Sequence, residues 1–297
     1  MATMMHLLKD VKMPRVVRVG CEFDKRCIQD IEGALRAQLS KPEIREKVRP
    51  GMRIAVGVGS RGLASLAEMV KTLVNELRDM GARPFIVPAM GSHGGAQAEG
   101  QEAILASFGI SEATMGCPVI SSMETVSLGK VTIPELETET ETYFDKNAFE
   151  ADGIVCVARV KVHPAFKDTL ESGMCKMLVV GYGKQKGAQA YHTAANGRMG
   201  RVVEHVAASN LEKCKILFAV GSVENAYDKV CVLEAVPAER IIERDKELLV
   251  IAKQRIGHLP FDRFDVLIAK QMGKDISGEG LDPNITGLIL TFHIPTH

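Results

Sequence analysis

Residues with chemistry to offer gather where apolar runs end. The β-branched run 53–58 passes into Gly57-Val58-Gly59-Ser60-Arg61-Gly62. A glycine-rich turn at a helix start presents backbone N–H groups to an anion, here with Gly59 and Ser60 in the cradle. Arg61 would clamp a carboxylate or phosphate bidentately. The loop Gly91-Ser92-His93-Gly94-Gly95 closes the next run and carries a histidine open enough to exchange protons near neutral pH. A third run, 153–160, leads to Lys161-Val162-His163-Pro164. Read singly, each is equally a tight turn with a solvated side chain; two histidines at strand ends say more than one.

Next comes Glu171-Ser172-Gly173-Met174-Cys175-Lys176, with the lysine placed early in an apolar helix. A lysine pressed against such a surface is desolvated, which lowers its pKa and makes it a covalent attachment point; the plainer alternative is a snorkelling side chain. His192 lies sixteen residues further on and alone reads as a core or surface histidine. Gln271-Met272-Gly273-Lys274 sets an amide and an ammonium three residues apart, a pair suited to a carboxylate.

The elements that must position these groups alternate. Strand 53–58 is followed by a helix over 63–80 with Leu63, Leu66, Met69, Val70, Leu73, Val74 and Leu77 on one face, and by strand 84–89. Further on come a helix at 97–108, short strands at 118–121 and 126–132, strand 153–160, helices near 170–182 and 198–209, and strand 215–221. A helix at 237–256 leads into strand 264–270. The acidic segment Glu135 to Glu141 lacks apolar periodicity and reads as a solvated loop or edge. Such alternation predicts an α/β fold, a mainly parallel sheet with helices on both faces, whose ligands gather at the strands' carboxyl ends.

Composition narrows the function. Of 297 residues 46% are apolar and 25% charged, the profile of a globular domain, and 37 basic residues balance 37 acidic ones. Bulk charge therefore favours neither nucleic acid nor a membrane surface. Seven scattered cysteines without a C-x-x-C pair point to reduced thiols. Together with the lack of a signal-type or spanning apolar run, they make the cytoplasm the expected location.

As an ordered set, Arg61, His93, His163, Ser172-Gly173-x-x-Lys176, His192 and Gln271-x-x-Lys274 resemble the lactate racemase family over about residues 50–287. The resemblance implies a nickel pincer nucleotide bound covalently to Lys176 and ligated to nickel by His192, with Gly59, Ser60, Ser172 and Gly173 near the cofactor. It implies His93 and His163 as acid/base residues, and Arg61, Gln271 and Lys274 as substrate ligands. The activity implied is racemisation of a small 2-hydroxy acid by hydride transfer, with cofactor-biosynthesis enzymes as partners. Family members continue into a second domain. The expected division is therefore a cofactor-binding domain over 1–262 and the beginning of a truncated second domain over 263–297. The rival readings are a cofactor- or nucleotide-binding protein without catalysis, and a divalent-metal hydrolase using His93, His163 and His192.

Overall fold

A computed structural model describes residues 10, 12, 15–195, 197–261, 263–273, 277 and 280–287. Its centre is a five-stranded sheet in the order β2-β1-β5-β6-β7, formed by β1 (Arg53–Val58), β2 (Arg83–Pro88), β5 (Gly153–Arg159), β6 (Ile216–Glu224) and β7 (Val230–Pro237). The first four are parallel, and β7 returns antiparallel along β6. Apart from Arg53 at the start of β1 and Arg159 at the end of β5, these two strands are apolar because both their faces are covered. Ile154, Cys156 and Ala158 join one core while Val155 and Val157 join the other.

One core packs under α1 (Ile31–Leu39), α2 (Pro42–Arg45), α3 (Leu66–Asp79), α4 (Ala98–Ser107) and α5 (Glu112–Met115). The opposite core is covered by a hairpin of β3 (Thr125–Ile133) and β4 (Thr138–Asp145), then by α6 (Lys146–Phe149), α7 (Met174–Lys176), α8 (Lys184–Ala195), α9 (Met199–Lys213) and α10 (Ile241–Arg255). Met177–Gly181 continues α7 as a π-helical stretch. A last short helix, α11 (Pro283–Thr286), follows. The α/β architecture with helices on both faces is thus as the alternating pattern predicts. Among the described residues no helix is long and apolar enough to cross a membrane.

Several local expectations change. Of the two readings of the acidic stretch, loop or edge, the edge forms: after a single turn at Pro134–Leu136 the chain enters β4 of the two-stranded hairpin, where Thr140, Thr142 and Phe144 face inward and Glu139 faces out. The helix expected from 170 begins only at Met174, and 118–121 makes a single bridge, Val119 to Ile86, instead of a strand. The helices α1, α2, α5, α6, α8 and α11 and the strand β7 were not anticipated. The expected strand 264–270 does not form among the described residues; Val266 and Ile268 stand 75% and 88% exposed, with no neighbouring strand to complete a ladder.

The strand order reverses between β1 and β5, because the chain leaves β1 toward β2 and later returns on the other side. Crevices for ligands open at the carboxyl ends of strands at such a switch point. A cavity of 1160 Å³ lies there.

Candidate functional site

Three strand ends supply the floor of the cavity. After β1 come Gly59, Ser60 and Arg61, all lining it. After β2 comes His93, whose Nδ1 is hydrogen-bonded to the Ser60 hydroxyl. The loop bearing His93 is held from beneath: buried Gln101 donates to the carbonyls of Gly91 at 2.9 Å and His93 at 3.1 Å. Lys184, fully buried, donates to Gln101 Oε1 at 3.3 Å and to the Pro88 carbonyl at 2.5 Å, and pairs with buried Asp145 at 3.0 Å. Gly94 is required in this loop. Its φ is +67°, and a Cβ there would meet the backbone of Gly100 at 2.6 Å.

The end of β5 brings Arg159, Lys161 and His163 to the same cavity at alternate positions. Arg159 is paired with Glu224 at 2.6 Å, and Glu224 also accepts the Ala64 N–H at 2.6 Å. Lys161 and Ser172 exchange backbone hydrogen bonds of 2.9 and 3.2 Å, which ties this strand end to the turn carrying Lys176. Buried Glu171 accepts the His163 N–H at 2.6 Å and pairs with Lys253 at 2.8 Å. From the far side Asn284 donates to the His163 carbonyl at 3.2 Å.

The His163 ring itself accepts the Ala165 N–H at Nδ1. In the neutral imidazole the proton therefore sits on Nε2. Burial, then Lys176, Lys161, His192 and Arg61, hold its pKa down to about 3, so at neutral pH it offers an N–H donor. Acting as a base would require release of the Ala165 hydrogen bond.

Lys176 ends α7. Its turn is fixed by Asp245 of α10, buried, which accepts the Cys175 N–H at 2.8 Å. Gly173 leaves room for that carboxylate, since a Cβ there would lie 2.1 Å from Asp245 Oδ1. The π-helical stretch begins one residue later, a distortion of the helical ladder often found at functional positions. The Lys176 ammonium lies 5.5 Å from the Phe166 ring centre and has no hydrogen-bond or ion-pair partner among the described residues. Burial and the charges of Arg61 and Lys161 bring its pKa down to about 8, against the opposing pull of Glu171. His192, on the exposed side of α8, lines the cavity too, and burial with Lys176 lowers its pKa.

Gly59, Ser60, Arg61, His93, His163, Ser172, Gly173, Lys176 and His192 therefore share one cavity. Gln271 does not line it and is exposed, and Lys274 lies outside the described residues. Sequence reasoning missed Lys161, the Arg159–Glu224 pair and the segment with Ser277 and Asp282, all in the lining. The i, i+2 spacing of Arg159, Lys161 and His163 was a readable signal for the first two. Nothing local marked Ser277 or Asp282.

No group of three or more His, Cys, Asp or Glu side chains fit to hold a metal ion occurs among the described residues. A metal here would draw most of its ligands from a bound group. The donors fit that demand: a partnerless amine suited to covalent attachment, a histidine kept neutral at the same wall, and cations for anionic substituents.

Comparison with known proteins adds the family. The chain belongs to the family described as a domain of unknown function, DUF362, whose model matches residues 58–251. Among solved structures it is similar to the lactate racemase apoprotein from Thermoanaerobacterium thermosaccharolyticum, with a TM-score of 0.52 and 16% identity over 79% of this chain. The match spans 58% of the racemase's length, and at this identity it speaks for the fold alone. No curated protein matches.

Proposed function

We propose that this protein is a 2-hydroxy acid racemase or epimerase that carries a nickel pincer nucleotide on Lys176. The observation that carries the reading is the convergence of Arg61, His93, His163, Lys176 and His192, from five separate segments, on one cavity at the switch point. When bound, the group supplies a reversible hydride acceptor, which racemisation needs because the carbon–hydrogen bond beside a carboxylate is a weak acid.

The chain's own residues do the rest. Lys176, with an amine pKa of about 8, is partly neutral near pH 7 and is the attachment point; His192 supplies an imidazole nitrogen to nickel. Ser172 and Gly173, next to Lys176 in the lining, would border the attached group, and the N–H groups of the Gly59-Ser60 turn would hold its phosphate. Arg61 binds the substrate carboxylate. His93 is the better general base, because His163 presents its Nε2–H and stabilises oxygen by donating a hydrogen bond. The family resemblance adds Gln271 and Lys274 as substrate ligands, and Gln271, exposed and outside the lining, would have to turn toward the cavity to serve.

The test is the mass of the intact protein and of its Lys176 peptide after co-expression with cofactor-making enzymes, together with nickel analysis. A mass increment on that peptide with bound nickel is expected. Absence of both the increment and the nickel would overturn the reading.

A further inference from the structure

Of the three groups that β5 delivers to the cavity, Arg159 is neutralised by Glu224, and His163 is bonded at both its main chain and its ring. Lys161 differs. Its backbone is satisfied by Ser172, but its ammonium has no hydrogen-bond or ion-pair partner among the described residues. Burial and Arg159 disfavour its charge; Asp282 and Glu224 favour it, and Arg61 adds further repulsion. Neither carboxylate is bonded to it: Glu224 holds Arg159 and the Ala64 N–H, while Asp282 Oδ1 accepts two hydrogen bonds from Asn284, at 2.9 and 2.8 Å.

A second donor stands on the same lining. Ser277 is 7% exposed, and its hydroxyl has no hydrogen-bond partner among the described residues. Two mutually repelling cations, Arg61 and Lys161, with a buried hydroxyl left unanswered, are relieved together by a ligand bearing two anionic groups.

We propose that Lys161, assisted by Ser277, seats a second carboxylate of the ligand, so that the 2-hydroxy acid is a dicarboxylate held at Arg61 by one end and at Lys161 by the other. This rests on reading the cavity as a 2-hydroxy acid site. A carboxylate suits the seat better than a phosphate. The Lys161 N–H is already bonded to Ser172, leaving one ammonium and one hydroxyl, which match two carboxylate oxygens, whereas phosphate sites are built from several backbone N–H groups.

The experiment is calorimetric titration of the full-length protein, free of cofactor, with 2-hydroxysuccinate, with lactate and with inorganic phosphate. Wild type is expected to bind the diacid at least about tenfold more tightly than lactate, the worth of one charge-assisted contact. Lys161→Met should bring the diacid to the lactate level, Lys161→Arg should keep the advantage, and Ser277→Ala should reduce it by a smaller factor. Phosphate binding should not respond to Lys161→Met. Thermal melting of each variant checks folding, and Lys161→Arg carries the test if Lys161→Met does not fold. Equal affinity for the two acids, no binding of either, or a Lys161→Met effect confined to phosphate overturns the proposal. An unmodified Lys176 would sink the cofactor reading while leaving this affinity difference to be measured.

Discussion

Lys176 and Lys184 stand eight residues apart, and burial disfavours the charge of both. Their surroundings are opposite. Lys184 is fully enclosed and answered by Asp145, the Pro88 carbonyl and Gln101. Lys176 faces the cavity with no anion bonded to it, and Arg61 and Lys161 press its pKa further down. One residue type in two settings yields a structural cation and a reactive amine, and the partner decides which. The two are also connected, because Lys184 and Gln101 support the loop that presents His93.

That contrast can be broken most severely by removing the structural member. Lys184→Met leaves Asp145 buried without its counter-charge and should cost about 3–5 kcal/mol in urea unfolding, while Lys176→Met should change stability by less than about 1 kcal/mol. Equal losses would erase the distinction. Gly173→Ala forces a methyl group against Asp245 and should cost about 1–3 kcal/mol, and the displaced turn should slow acylation of Lys176.

A sharper version uses pH. Acetic anhydride labelling followed by peptide mass analysis should find Lys176 modified with a midpoint near pH 8, ahead of surface lysines, and Lys184 untouched until the protein unfolds. Uniform labelling across lysines would contradict the assigned environments. The smallest effect concerns His163, faced by Lys176, Lys161, His192 and Arg61. Its folded pKa of about 3 lies below the unfolded value near 6.5, so the unfolded chain binds more protons between those values. Its contribution is complete above pH 6.5 and is lost as pH falls toward 3. His163→Gln should accordingly flatten the decline of melting temperature between pH 6.5 and 4.

How far the sequence could be read depends on what each element buries. β1, β2, β5 and α3 were visible because continuous or 3.6-periodic apolar residues mark them directly. β4 was hidden because threonines fill its inward positions, so period-two burial was written in residues that look polar. α8 was hidden because Lys184, Gly187, Ala188, Tyr191 and Ala195 form its buried stripe, small and charged residues where leucines mark other helices. The apolar run within 264–270 misled in the other direction. It has strand composition, and a strand needs a partner that its sequence does not contain.

The sequence by itself determined the α/β alternation, the glycine turns and which strand ends carry Arg61, His93 and His163, since these follow from local periodicity and backbone permissiveness. Only the tertiary structure decided the rest. The strand order set the switch point, the packing of α10 put Asp245 under the turn of Lys176, and the placement of Ser277 and Asp282 added them to the lining. Those outcomes depend on which distant groups share a low-dielectric space, and the free energy of a charge there is set by its neighbours rather than by its place in the chain.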